Sequence, residues 1–351
     1  MSKKITMQQI ADHVGVSKFA VSKALSGKSG VSPDTREKIV LTATQLGYFS
    51  QKRQRPITMR THMNKPTSSS RNTIIVLIPN VRDQTRQSSF WGRVIDGIVT
   101  GIEEHQLGMM IVTEHITENF TQLINPDAVL GLIGVGLISN QLLLEVRNQG
   151  IPFVLVDHED SLIPSDVLFM NNYECVRRST NYLLGNGHRN LQFVGNIRYS
   201  RSFYDRWLGY RSMLEEQHVE LKQIPELLDF EGDNRSEMTE KLDVILRKLH
   251  QNNQLPTSFV CANDSIAICV MTVLMRLGIN VPEQCSVSGF DNIEDASLSK
   301  PSLSTVHVNK EALGQRAVET LLWRIEHPSG PKEKILLAGE LILRESTANR
   351  L

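Results

Sequence analysis

Two sets of side chains in this 351-residue chain have the types and spacing for recognition chemistry. The first lies between Val16 and Leu25. On a helical wheel Val21 and Leu25 face inward, with Ala20 and Ala24 beside them, while Ser17, Lys18, Phe19, Ser22 and Lys23 point outward. Cations and hydroxyls on one face suit the phosphates and base edges of a duplex. The second set is spread along the chain. Asn263 and Asp264 follow the strand-like run "SFVCA", Asp291 follows "SVSGF", and Arg206 opens the helix after the Leu191–Gly195 run. In parallel α/β sheets such loop positions beyond the carboxyl ends of strands are where ligands sit. A guanidinium, a carboxamide and a carboxylate converging there would take paired hydroxyls by forked hydrogen bonds. Phe90 and Trp91, after the first strand's loop, offer the flat apolar face that a sugar or base needs.

Plainer roles compete for several of these residues. Asp264 reads as the N-cap of the helix "SIAICVMTV". Phe90 and Trp91 can be packing for the first helix of the body, and Arg206 can pair with Asp205 or Glu215 on a solvated face. His188, in "GNGHRN", reads as a turn residue, and the other histidines show no metal-ligand spacing.

The first set needs a scaffold, and the chain supplies one. Met7, Ile10, Ala11 and Val14 share a helical face, and Gly15 stops that helix at little steric cost. Ser17 is placed to cap the next helix, and the pair makes a helix-turn-helix whose second helix is sized for the major groove. A third helix is expected from Pro33 to Leu46, capped by Ser32 and ended by Gly47. Charge points the same way. Residues 1–71 hold 13 Lys and Arg against 3 Asp and Glu, whereas residues 72–351 hold 25 against 35. A neutral total therefore conceals a basic head on an acidic body, the footprint of a phosphate-binding module.

The segment "TMQQIADHVGVSKFAVSKALSGKSGVSPDTREKIVLTATQLGY" closely resembles the DNA-binding head of the lactose/galactose-repressor family of bacterial transcription regulators. The likeness implies that Lys18 and Phe19 meet base edges, and that Thr6, Ser17, Ser22, Lys23, Thr35 and Tyr48 meet phosphates or groove walls. Two positions depart from the family pattern: Ala20 stands where Thr is usual, and Lys23 where Arg is usual. Lysine is a point charge and lacks arginine's two-pronged contact to guanine.

Residues 50–71 are polar and basic, and Pro66–Ser70 has linker composition. In the family this zone holds a hinge helix that wedges a leucine into the minor groove. Here that position falls at Ile57, behind a helix-breaking Pro56. A displaced helix with Met63 as the wedge, or a basic linker with no wedge, are the alternatives.

From Asn72 onward apolar strand-like runs (74–78, 109–113, 129–133, 153–156, 167–170, 191–194, 258–262 and 286–290) alternate with amphipathic helical ones. That order builds doubly wound parallel sheets, and some 280 residues exceed one such sheet, so two lobes are expected. The runs "YLLGNGHRNLQFVG", "DRWLGYRSML" and "FVCANDSIAICVMTVLMRLGINVPEQCSVSGFDNIEDASLSKPSLSTV" resemble the same family's effector domain, itself similar to periplasmic sugar-binding proteins. The likeness is weakest from His115 to Leu130. It places Arg206, Asn263 and Asp291 on effector-contacting positions, and Phe90, Trp91, Ser202 and Asn234 on positions lining the same cleft.

The expected architecture is thus an α/β protein: a three-helix DNA-binding head (1–49), a hinge (50–71) and a two-lobed, periplasmic-binding-protein-like domain (72–351). The expected function is a repressor acting as a homodimer on a near-palindromic operator and controlled by a small sugar-like effector. Asp291 would repel an anionic ligand and Arg206 would attract one, so a nucleoside or phosphorylated metabolite stays open. Asn234 lacks the aromatic face many relatives have there, which disfavours a purine. The competing class is a sugar-binding or enzymatic module with a vestigial head. Against catalysis, the chain has no G-x-S-x-G elbow, phosphate loop or G-x-G-x-x-G after a strand. Its four cysteines form no C-x-x-C pair, so neither metal nor cofactor is expected. With no secretory h-region and no membrane-length apolar run, the chain is expected in the cytoplasm.

Overall fold

The computed structural model describes residues 5–25, 31–46, 72–78, 88–113, 128–229 and 234–350. They fall into two units, an N-terminal helical one and a larger α/β one. Tyr48, and with it the hinge positions Pro56, Ile57 and Met63, lies outside the described residues.

In the N-terminal unit, α1 (Met7–Val14) starts in a capping box: Thr6 Oγ1 accepts from Gln9 N–H at 3.3 Å while Gln9 Oε1 accepts from Thr6 N–H at 2.9 Å. It ends at Gly15, whose φ of +73° is a left-handed cap open to glycine. Then α2 (Lys18–Leu25) begins with Ser17 Oγ accepting from Ala20 N–H at 3.2 Å. Ser32 Oγ accepts from Thr35 N–H at 3.3 Å and opens α3 (Pro33–Gln45). Ile10, Ala11, Val21, Ala24, Ile39 and Ala43 form one small core. Leu25 packs against this core as expected but is half-buried, Ala24 beside it is the more deeply buried of the two, and Lys23, expected to point outward, is half-buried.

The second unit opens with β1 (Thr73–Leu77), α4 (Trp91–Glu104), β2 (Gly108–Val112) and β3 (Val129–Val135). There follow α5 (Asn140–Asn148), β4 (Phe153–Val156), β5 (Asp166–Met170), α6 (Asn172–Gly185), β6 (Leu191–Val194) and α7 (Arg201–Glu216). Next come α8 (Arg235–Gln251), β7 (Ser258–Cys261), α9 (Asp264–Arg276), β8 (Ser286–Ser288), α10 (Glu294–Leu298) and β9 (Thr305–His307). The unit closes with α11 (Lys310–Glu326), β10 (Lys334–Leu337) and β11 (Glu340–Ile342). The strands build two parallel sheets, in the orders β10-β5-β4-β3-β1-β2 and β6-β7-β8, and β9 pairs antiparallel with β11. The apolar runs of the sequence become these sheets, whose facing residues share one continuous core.

The chain leaves the first sheet after β5, builds the second, and returns through α11 to add β10 at the first sheet's edge. A buried ion pair fixes that return: Arg324 at the end of α11 holds Asp166 at the start of β5 through Nε–Oδ2 at 2.6 Å and Nη2–Oδ1 at 2.8 Å. α11 also lies tightly on α4. A Cβ at Gly314 would overlap the Val94 carbonyl oxygen, and one at Gly97 the Glu311 carbonyl oxygen. His188, expected in a turn, is buried and bolts the C-terminal segment to the second sheet. Its Nε2 faces the Ala348 carbonyl at 3.3 Å and its Nδ1 the Thr257 hydroxyl at 3.0 Å.

Gly314→Ala should therefore lower unfolding stability by about 1–3 kcal/mol or more, the usual result of overfilling a closed contact. Gly185→Ala, whose added methyl meets open space within its helix, should leave stability unchanged or raise it by up to about 1 kcal/mol. Urea denaturation midpoints of the two variants measure both outcomes.

Candidate effector cleft and nucleic-acid interface

Arg206, in the second turn of α7, is 4% exposed, and a buried guanidinium must find partners. Nε donates to Asn172 Oδ1 at 2.8 Å, Nη1 to the Ala262 carbonyl at 2.6 Å, and Nη2 to Asp291 Oδ1 at 3.3 Å. The Phe290 ring lies under it, 3.7 Å from the guanidinium carbon. The solvated pairings with Asp205 or Glu215 do not form. Arg201 takes Asp205, and Arg211 takes Glu215.

The network continues into the first sheet. Asn172, at the start of α6, donates from Nδ2 to Ser202 Oγ at 2.9 Å, and Ser202 donates in turn to Asp157 Oδ1. Asp157 stands at the end of β4, so groups from both sheets meet around one guanidinium. Asp291 is held from three sides: by Arg206, by its own N–H to the Val306 carbonyl at 3.0 Å, and by Lys310 Nζ on its carbonyl. Those contacts keep it at φ +105°, a region that a residue with a Cβ seldom occupies.

The cap expected of Asp264 falls to Asn263. Asn263 is the N-cap of α9, its Oδ1 accepting from Ile266 N–H at 2.9 Å. Asp264 is fully buried and accepts from Ile293 N–H at 2.8 Å and from the Thr305 hydroxyl. Asn263 is half-buried, and its Nδ2 has no partner among the described residues. Asn234 is exposed and caps α8, bonded to Glu237 through both ends of its carboxamide. Phe90 and Trp91 are half-buried against the core, ring edge to ring face at 4.9 Å, with their N–H groups on Ser88 Oγ. Ser202 is buried within the network.

Sequence reasoning missed Asp157, Asn172 and Lys310. The first two follow the strand-like runs 153–156 and 167–170, so the strand-end rule that found Asp291 also marks them. Lys310 carried no such signal, because it opens a helix and its Nζ is turned onto two carbonyls, those of Asp291 and Val308.

Beyond these bonds the cluster keeps a mixture of unused donors and acceptors. Arg206 has five N–H groups, three of them engaged, and Asn263 has its amide. Asp157 and Asp291 each have a second carboxylate oxygen. Burial pushes Asp157 up to about 6, opposed by the Ser202 hydroxyl and Arg206. It pushes Asp264 up to about 7, helped by the nearby Asp291 charge and opposed by the bonds from Thr305 and Ile293. Asp291 is raised for the same reason, against the pull of Arg206 and Lys310, while burial lowers Lys310.

In the N-terminal unit, Ser17, Lys18, Phe19 and Ser22 lie exposed along one side of α2, and Lys23 Nζ sits 4.9 Å from the Phe19 ring centroid. Thr6 is exposed and tied into its capping box; Thr35 is half-buried with its hydroxyl 2.7 Å from that of Ser32. Among the described residues no cluster of His, Cys, Asp and Glu could hold a metal ion, and no helix is long and apolar enough to cross a membrane.

The model of the family "Bacterial regulatory proteins, lacI family" matches residues 6–51, and that of the "Periplasmic binding protein-like domain" matches residues 180–347. The ribose operon repressor of Haemophilus influenzae is 26% identical over 352 residues, covering 97% of this chain and 98% of that protein. The repressor PurR of Vibrio parahaemolyticus is 26% identical over 348 residues, with the same coverage. Among solved structures, a complex of the transcriptional regulator CelR with cellobiose aligns at a TM-score of 0.69 and 20% identity, over 97% of this chain and 99% of that one. The lac repressor dimer bound to operator and an anti-inducer aligns at 0.68 and 20%, over 99% and 100%.

A carboxyl group whose folded pKa is raised stabilises the fold fully below its unfolded value, near 3.8, and that stabilisation is lost as pH rises through the folded pKa. Between about pH 5 and about pH 8, wild-type stability should therefore fall relative to that of Asp264→Asn. Urea midpoints of the two proteins over a pH series measure this, and a constant difference between them would contradict it.

Proposed function

The chain belongs to the lacI family of bacterial regulatory proteins, and on that footing we propose that it is a homodimeric repressor released from or held on its operator by a neutral, polyhydroxylated effector. It is a DNA-binding transcription regulator, not an enzyme. In our division residues 1–49 read DNA, 50–71 tether, and 72–351 sense the effector, all in the cytoplasm. Two heads on one near-palindrome would engage half-sites about one helical turn apart, or a multiple of it. The similarity to the operator-bound lac repressor, itself a dimer, supports that arrangement.

On the DNA, Lys18 and Phe19 face base edges, and Thr6, Ser17, Ser22, Lys23, Thr35 and Tyr48 serve phosphates or groove walls. In the cleft, Arg206, Asn263 and Asp291 grip the effector, with Ser202, Phe90 and Trp91 around them. Asn234 has the weakest support, since its carboxamide is engaged at a helix start.

The observation that carries the effector class is the pairing of Arg206 with Asp291. The guanidinium at the centre of the site already has a carboxylate, a second carboxylate (Asp157) stands nearby, and the Lys310 ammonium is turned onto backbone carbonyls. Neither cation is left over for a phosphate or a carboxylate group. Hydroxyls, which both donate and accept, match what is left over. Relatives named for ribose and cellobiose support a sugar. A ligand changes DNA affinity only through its different affinity for the DNA-competent and DNA-released states.

A thermal-shift screen tests the effector class. Neutral sugars should raise the melting temperature by mass action, sugar phosphates and uronates should not, and Asp291→Ala should abolish the rise. A rise produced only by anionic sugars would overturn the assignment. For the DNA function, a mobility shift on the chain's own upstream DNA should weaken steeply with salt; a salt-insensitive shift would favour a sugar-binding module that does not read DNA.

A further inference from the structure

The face of α2 that our functional reading turns toward DNA carries an aromatic ring where hydrogen-bonding side chains would be expected. Phe19 is 70% exposed and takes no part in the core of Ile10, Ala11, Val21, Ala24, Ile39 and Ala43. Folding of the head therefore gives no reason for an apolar residue there. One turn on, Lys23 is half-buried with its ammonium over the ring, 4.9 Å from its centroid. A cation lying on the ring face favours one orientation of the ring, by about 0.5–1 kcal/mol at an exposed site. A ring beside a cation, in an N-terminal stretch whose head and hinge together (residues 1–71) hold 13 basic and 3 acidic residues, suits a polyanion and not an apolar protein surface.

Neither the Phe19 ring nor the neighbouring Ala20 methyl can exchange a hydrogen bond with a base edge. The major groove offers them one apolar feature, the C5 methyl of thymine. We propose that Phe19 reads a thymine methyl in each half-site, and that Lys23 is a positioning residue that holds the ring for that contact. Specificity at this base pair then comes from a methyl group and not from the donor and acceptor pattern. 5-Methylcytosine, which carries a methyl at the same place, would be partly accepted. The inference rests on the DNA-binding reading but fails separately from it.

The test begins by recovering preferred duplexes from a randomised pool with the full-length chain. Each thymine of the recovered half-site is then replaced singly by deoxyuridine, which removes only the methyl, and affinity is read by fluorescence anisotropy at fixed salt. One position should lose about fourfold per half-site, the worth of one buried methyl-sized group. Phe19→Ala should still bind the duplex with a steep salt dependence, yet bind the thymine and uracil forms alike at that position. Lys23→Met should bring the ratio close to one, and Lys23→Arg, which keeps a cation over the ring, should restore it. Wild-type affinities within about twofold at every uracil position, or a loss that persists in Phe19→Ala, would overturn the proposal. Recovery of no duplex above background would overturn the DNA-binding reading as well.

Discussion

A nearly buried positive charge sets the terms for the α/β unit. Arg206 lies inside the protein, and removing a partner from such a group costs about 3–5 kcal/mol. Its surroundings therefore answer to it: Asn172 at Nε, the Ala262 carbonyl at Nη1, Asp291 at Nη2 and the Phe290 ring beneath. These partners come from the starts or ends of different elements, so the charge ties together α6, α7 and the ends of β7 and β8. Asn172 and Ser202 carry the connection on to Asp157 at the end of β4 in the other sheet.

The cluster is accordingly fixed by its own bonds, each charged group meeting a partner within the protein. Asp291 keeps an unfavourable backbone angle because Arg206, Val306 and Lys310 fix its side chain, N–H and carbonyl separately. Lys310 is the first residue of α11, and α11 is the helix that lies glycine-to-backbone on α4. A shift of Asp291 on binding therefore has a short path of direct contacts into the first sheet's helices. Packing too tight to accept a methyl at Gly97 or Gly314 leaves those helices able to move together but poorly able to absorb a change locally.

Much of this was readable in the sequence wherever the determinants are local. The head's helices are bounded by Gly15, Ser17 and Ser32, each a cap whose chemistry is complete within a few residues, whereas the capping box at Thr6 went unread. The eight strand-like runs were apolar enough to show: most are parallel strands buried on both faces, which have no polar alternation, and the edge strand β2 is apolar throughout. The three last strands did not show. β9 and β11 have three residues each, and β10 has four that alternate between exposed and half-buried. Short edge segments of that kind are decided by the partner strand and carry little signal of their own. The move of the cap from Asp264 to Asn263 has a similar origin: both residues can cap a helix, and only the depth of Asp264 beside Thr305 and Ile293 selects one. Lys23 sat on the outward side of the wheel, but the wheel takes no account of a ring four residues earlier that draws the ammonium back.

Regulation of this kind requires that occupancy of the Arg206–Asp291 site alter how tightly the basic head holds DNA. The direct measurement is the affinity of the full-length chain for its operator, titrated with and without a saturating stabilising sugar, in wild type and in Asp291→Asn. The two wild-type curves should differ by fivefold or more, about 1 kcal/mol of coupling, while the variant binds DNA and ignores the sugar. Superimposable wild-type curves with the sugar demonstrably bound, or an undiminished response in the variant, would contradict it.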